Sequence, residues 1–479
     1  MEKTTLLKNA LAIVTCNESD EVYYHADILI QGPKILQIGH GLPTECDEVI
    51  DATGHFIYPG LINTHHHFFQ TFVRNLQSID YPNMTVPQWL DRIYRIFQKI
   101  DDRVIYYSSL TAMADLLKHG CTCAFDHQYC YTKATGKLPV DRQFEAAKLL
   151  GIRYHAGRGT NTLPRDKGST IPEDMLETTD EFLTDCQRLI AKYHDPAPYS
   201  MSQIVLAPCQ PINSYRDTFA ETVKLARSTG VRMHTHLGEG ENEIMLERWG
   251  KRTLEWCQEI GFLGEDVWFA HGWELLPEEF SVLAQAGSGI SHCPGPAILG
   301  GFPILPIQKL ADAGVCVSLG CDGSSTNDSS NLLDSMRTGW MMQAYYSKQR
   351  GGCISPYEML KNATVNGAKT LGRSDLGYLA PGMGADLFLV DARTLELAGT
   401  LHDPKNLLAR VGITGPVSLT MVNGKAVWRD GHFPDVDEHA LAQEGEAVCS
   451  AVLRRTSSAF PCFSEARLLR QLLIICRSL

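Results

Sequence analysis

The chain has 479 residues, 44% apolar and 20% charged, which excludes a disordered protein and supplies a large core. Lys and Arg number 43 against 55 Asp and Glu, and a net charge of −12 lacks the basic footprint of a nucleic-acid binder. At ~150 residues per domain the length corresponds to about three domains, a rule that large barrels break.

No apolar window approaches 18 residues, so no membrane span is expected. The apolar stretch at 10–14 is preceded by Lys8 and Asn9 and lacks a cleavage signal; it reads as a first strand of a cytoplasmic protein. The 15 cysteines include one C-x-C, at Cys121 and Cys123, and no C-x-x-C, a pattern of reduced thiols rather than a disulfide framework.

In chain order, residues 6–15, 26–30, 35–38 and 48–51 read as short strands separated by turn residues such as Gly32-Pro33. The same texture returns at 386–391 and 419–428, so 1–57 and 381–445 are expected to build one small β domain from both chain ends. Between them, apolar runs at 60–64, 122–126, 153–156, 204–207, 232–235, 267–270, 288–291 and 316–320 alternate with helix candidates such as 221–228, 243–259 and 331–347. Eight strand–helix repeats over 58–380 give an α/β fold, a (β/α)8 TIM-type barrel, with an insertion at 81–100. A doubly wound sheet is the alternative, weakened because no G-x-G-x-x-G follows any strand. Residues 446–479 carry five basic and two acidic groups and read as a tail of no assigned chemistry, with an amphipathic partner helix around 468–475 as an option.

Barrel enzymes place their chemistry at the carboxyl ends of the strands. The first strand here ends in His65-His66-His67, and strand alternation turns His65 and His67 to the same side. The fifth ends in His234-Thr235-His236-Leu237-Gly238-Glu239, the sixth in Ala270-His271-Gly272, the seventh in Ser291-His292-Cys293-Pro294 and the eighth in Cys321-Asp322-Gly323. Histidines and carboxylates at five of eight strand ends point to a metal centre. Three imidazoles and one carboxylate hold a divalent ion with room for water, so His65, His67, His236 and Asp322 are the expected ligands. The fourth strand ends in Ala207-Pro208-Cys209-Gln210 and offers no bridging group, which limits the site to one ion, zinc or iron. Glu239 is the expected proton shuttle, with His271 and Asp322 orienting the attacking water.

These motifs, with Pro59-Gly60-Leu61-Ile62-Asn63-Thr64 before the first histidines, resemble the amidohydrolase superfamily in its mononuclear deaminase branch, across roughly 6–433. The resemblance implies a distorted barrel with a composite β-sandwich, a zinc or iron ion, and hydrolytic release of ammonia or an amine from a ring carbon. Within the branch the chain is similar to the hydroxydechloroatrazine ethylaminohydrolases and, next, to the 8-oxoguanine deaminases. Shared with both are His66-His67-Phe68-Phe69-Gln70, residues 364–368 and His402-Asp403-Pro404. Gly240-Glu241, Gly272-Trp273-Glu274 and Asn327-Asp328-Ser329-Ser330-Asn331-Leu332 favour the first. Gly295-Pro296-Ala297 stands where oxopurine deaminases carry a Ser-Asn pair.

The expected partner is a flat heteroaromatic small molecule, with no nucleic acid or membrane, acted on by a homo-oligomer (dimer). Gln70 and Arg74, just past the first-strand ligands, are candidate substrate contacts; Arg74 reads equally as a helix cap or surface ion pair. His292 reads either as a substrate contact or as a loop-orienting residue. Trp89, Trp273 and Phe302 are candidate stacking surfaces. Two other readings stand beside these: a catalytically silent barrel used for binding, which the complete ligand set with Glu239 and His271 opposes, and a cyclic-amide hydrolase, weakened by the missing fourth-strand lysine.

Overall fold

The computed structural model describes residues 2–76 and 79–456. The chain begins with five strands, β1 (Thr4–Val14), β2 (Val22–Gln31), β3 (Lys34–Gly39), β4 (Glu48–Asp51) and β5 (His55–Pro59). The two residues between β2 and β3 are Gly32 and Pro33, and Gly32 takes the positive φ of +53° that this tight turn requires. Three strands from the other end, β14 (Leu387–Asp391), β15 (Leu419–Val422) and β16 (Lys425–Arg429), join them. They form one mixed eight-stranded sheet in the order β16-β15-β14-β5-β1-β2-β3, with β4 also paired to β1. Its own apolar cluster includes Leu7, Ile13, Ile28, Ile57, Leu387 and Met421.

The eight runs read from the sequence are eight parallel strands: β6 (Leu61–Asn63), β7 (Cys121–Gln128), β8 (Arg153–Arg158), β9 (Ser202–Leu206), β10 (Arg232–Leu237), β11 (Val267–His271), β12 (Gly289–His292) and β13 (Val317–Leu319). Each pairs with the next in sequence. The ring closes where Thr64 N–H donates to Leu319 O at 3.1 Å and Asp322 N–H to His65 O at 3.0 Å. Nearly every residue of these strands is buried, because helices and the terminal sheet cover the outside while side chains fill the inside.

The terminal sheet feeds directly into the barrel: β5 is followed by Gly60 and then β6. A Cβ at Gly60 would lie 2.1 Å from Thr122 Oγ1, so the junction needs glycine. Below the barrel, the buried guanidinium of Arg153 on β8 pairs with Asp386 at 2.9 Å, just before β14. That charge-assisted contact ties the barrel to the terminal sheet.

The insertion read at 81–100 folds as a 3-10 turn and helix α1 (Val86–Phe97), started by Thr85, which forms a capping box with Gln88. It precedes α2 (Asp102–Lys118). Trp89, Ile93 and Tyr94 of α1 pack with Phe69, Tyr129 and Met175 in a second apolar cluster over the barrel mouth.

One expectation is corrected. The tail boundary at 446 falls inside a helix, Glu438–Arg455, whose Val448 and Val452 are buried in the cluster containing α1. The charge count concealed this, because two valines four residues apart suffice to dock one helical face. The partner-helix option at 468–475 lies outside the described residues. Among the described residues no helix is long and apolar enough to cross a membrane, and every cysteine is free.

Candidate active site

His65 and His67 leave the end of β6 on the same side, and His66 between them turns away, its Nε2 2.9 Å from Ser330 Oγ. Hydrogen bonds settle the tautomers of the inner histidines. The Nδ1 of His67 faces His127 O at 2.9 Å and that of His236 faces Cys209 O at 2.7 Å. A carbonyl only accepts, so both Nδ1 atoms carry hydrogen and both Nε2 atoms carry lone pairs. His234 Nδ1 likewise donates to Trp268 O at 3.0 Å, leaving its Nε2 to accept from His65 Nδ1 at 3.0 Å. The Nε2 of His65 is therefore bare as well, and it has no hydrogen-bond partner.

The three bare nitrogens converge with a carboxylate. His67 Nε2 lies 3.2 Å from His236 Nε2, and Asp322 Oδ1 lies 3.2 and 3.3 Å from the Nε2 atoms of His65 and His67. Lone pairs this close, without hydrogens between them and out of water, repel one another. A divalent cation removes the conflict, and three nitrogens with one oxygen is a donor set that suits it. Protonation states agree. Burial pushes the His65 imidazole down to about 4 and those of His236 and His271 well below their usual value. Burial thus keeps His65, His236 and His271 in the neutral form, the one that ligates metal.

Glu239 projects from a turn whose flanking Gly238 and Gly240 have φ of +65° and +89°. Its Oε1 is 3.7 Å from His271 Nε2, and neither ring nitrogen of His271 has a hydrogen-bond partner. Burial first, then the charges of Asp322 and Glu241, push the Glu239 carboxyl well above its usual range, which suits a group that takes up and returns a proton. His271 and Asp322 have φ of +76° and +64°, left-handed conformations that cost energy in residues with a Cβ. Both sit where a barrel strand ends and its side chain must turn inward.

A cavity of about 360 Å³ opens from this cluster, lined by His67, Gln70, His236, Glu239 and Asp322 and by Trp89, Leu90, Tyr94, Ile212 and Ile244. The expected ligands and Glu239 thus meet in one place. Gln70 lies on the wall, donating to Tyr129 Oη at 3.3 Å and accepting from Ser325 Oγ at 2.5 Å. Arg74 does not join them. The 3-10 helix Phe68–Val73 carries it to a different cavity, with Tyr107, Asp115 and Phe433. His292 is fully buried and off the cavity wall, with neither ring nitrogen hydrogen-bonded. Of the three aromatic candidates Trp89 lines the cavity, whereas Trp273 and Phe302 stack on each other at 4.4 Å, with Trp273 4.2 Å from the His271 ring.

Sequence reasoning missed three residues. His127, grouped with His65, His67 and His236, escaped because the second run was ended at Asp126, whereas β7 continues to Gln128. The signal was present in Asp126-His127-Gln128, polar residues ending a strand. His234 received no role, although its pairing with His65 follows from the same alternation that aligns it with His236. Glu241, buried beside Glu239, carried no signal beyond its proximity in sequence.

Residues 56–427 match the model of the amidohydrolase family. The chain is 46% identical over 479 residues to hydroxydechloroatrazine ethylaminohydrolase of Pseudomonas sp. (strain ADP), covering 96% of this chain and all of that protein. It is 34% identical over 457 residues to 8-oxoguanine deaminase of Pseudomonas aeruginosa, covering 94% and 99%. Among solved structures, atrazine chlorohydrolase TrzN from Arthrobacter aurescens TC1 complexed with zinc superimposes with a TM-score of 0.89 at 28% identity, covering 93% of this chain and all of that one. With this extent of match, the chain belongs to the amidohydrolase family.

Proposed function

We propose that the chain is a metal-dependent aminohydrolase that cleaves an exocyclic C–N bond on an N-heteroaromatic ring, its substrate a hydroxyatrazine-type N-alkylamino triazine. The observation that carries this reading is the convergence of three bare imidazole nitrogens and the Asp322 carboxylate beside the Glu239–His271 pair, where a cavity opens. His65, His67, His236 and Asp322 would hold one divalent ion, zinc or iron. When bound, such an ion makes water acidic enough to attack at neutral pH.

The chain's own groups do the rest. Glu239 accepts a proton from the attacking water and passes it to a ring nitrogen as the new C–O bond forms. It then carries the second proton to the exocyclic nitrogen, the C–N bond breaks, and the ring keeps a carbonyl while an amine leaves. His271, 3.7 Å from Glu239 with both nitrogens unengaged, holds the water in line. Trp89, Leu90, Tyr94, Ile212 and Ile244 supply a largely apolar wall for a flat ring with an alkyl substituent and exclude bulk water. The relative at 46% identity, by name an ethylaminohydrolase, supports the alkylamine as the leaving group.

The second reading, an 8-oxoguanine or related oxopurine or pyrimidine deaminase, rests on the relative at 34% identity. A panel of hydroxytriazines, oxopurines and aminopyrimidines separates the two when ammonia and alkylamine are measured independently. Alkylamine release from N-alkylamino hydroxytriazines is expected. Ammonia from oxopurines alone would replace the first reading by the second.

A further inference from the structure

Glu241 is 1% exposed, lies on the cavity wall and makes no salt bridge among the described residues. A carboxylate buried without a cation needs other donors, and two neighbouring backbone amides serve it. Gly238 N–H donates to Oε1 at 2.7 Å and Glu239 N–H donates to Oε2 at 2.6 Å. The two oxygens therefore grip consecutive peptide groups, those leading into and out of Gly238. Gly238 is also tied to the neighbouring strand end: its carbonyl accepts from Glu274 N–H at 3.1 Å, and Gly272 N–H donates to Leu237 O at 2.7 Å. His271 sits directly before Gly272, so one braced turn sets the spacing of Glu239 and His271.

We propose that Glu241 is a positioning residue: by clamping the Gly238 and Glu239 amides it fixes the direction in which the Glu239 carboxyl enters the cavity. The turn needs such a clamp. With glycines at 238 and 240, both at positive φ, it has unusual conformational freedom around the one side chain that must move protons. Displacing a proton-transfer group by a fraction of an ångström is enough to slow the step it serves. Burial pushes the Glu241 carboxyl up; the Thr253 side chain and the surrounding backbone amides, those of Gly238 and Glu239 included, act against that without reversing it.

The proposal rests on Glu239 as the proton carrier, and Glu239→Gln by itself tests that premise. For Glu241 the experiment is Glu241→Gln, made alone and together with Glu239→Gln. The amide keeps one acceptor and turns a second donor against an N–H, so one half of the clamp is lost without change of volume. In the otherwise native enzyme, kcat should fall about 10–100-fold, with KM within about threefold and metal content and Tm unchanged. In the Glu239→Gln background, followed by product accumulation over long incubations, the same change should cost less than about twofold, because there is no carboxylate left to aim. An unchanged kcat in the single variant, an equal loss in both backgrounds, or a loss that tracks metal content or Tm would overturn it.

Discussion

His65 Nδ1 donates a hydrogen bond to His234 Nε2 at 3.0 Å, and it does so because His234 has committed its own Nδ1–H to Trp268 O. A chain of two imidazoles thus runs from a carbonyl of the barrel wall to His65, a proposed metal ligand, and it presents the His65 lone pair at Nε2. Groups that orient a ligand in this way set both its tautomer and its basicity. Replacing His234 by Asn removes the acceptor at that distance. Metal affinity should weaken by about 10–100-fold, measured by competition with a chromophoric chelator; an unchanged affinity would show that His65 needs no such partner.

Glu239→Gln keeps the shape of the side chain and removes its capacity to take up a proton. The variant should bind the metal as the native protein does while kcat falls by about 10²–10⁴-fold. Elemental analysis and steady-state kinetics on one preparation decide the matter, since retained turnover with metal bound would exclude Glu239 as the proton carrier.

Elemental analysis also addresses stoichiometry. One ion per chain is expected, and dialysis against a chelator should abolish turnover and lower Tm, because an ion that binds only the folded state adds about 2.7 kcal/mol of stability at a hundred times its Kd. Restoration by zinc or by ferrous iron separates the two candidates. Two ions per chain would displace the single-ion site.

Trp89 reaches the cavity from α1, the helix inserted after the first barrel strand. Its truncation to Ala should raise KM for a heteroaromatic substrate by about tenfold, equivalent to ~1.4 kcal/mol, with kcat within about threefold. A fall in kcat at constant KM would instead place Trp89 in the chemical step.

Far from the site, Arg153 and Asp386 are both buried and pair at 2.9 Å between the barrel and the terminal sheet. Asp386→Ala leaves a guanidinium in the interior without its counter-charge, a change expected to cost about 3–5 kcal/mol. Urea unfolding measures it directly; a loss below ~1 kcal/mol would mean that water or a neighbour replaces the carboxylate.

The limits of sequence reading show in particular residues. His65, His67, His236, Glu239, His271 and Asp322 can be singled out together because each lies at or just past the end of a strand, and a closed ring of parallel strands brings all such ends to one mouth. Arg74 was misplaced because it follows the ligands closely in sequence but is separated from them by the 3-10 helix Phe68–Val73, which turns it to the outside. The helix Glu438–Arg455 was cut in two because its docking surface, provided by α1 and α2, is more than 300 residues away in sequence.

The sequence alone determined the order of eight strands and crossover helices, the β-rich character of both ends and the types of side chain at the strand ends, since periodicity and turn residues are local properties. Only the tertiary structure decided that three Nε2 lone pairs and one carboxylate oxygen face each other, that His234 stands behind His65 and that Glu241 grips the Glu239 turn. Those are distances between groups on different strands and loops. They come into being when the barrel closes, Thr64 against Leu319, and no local pattern encodes them.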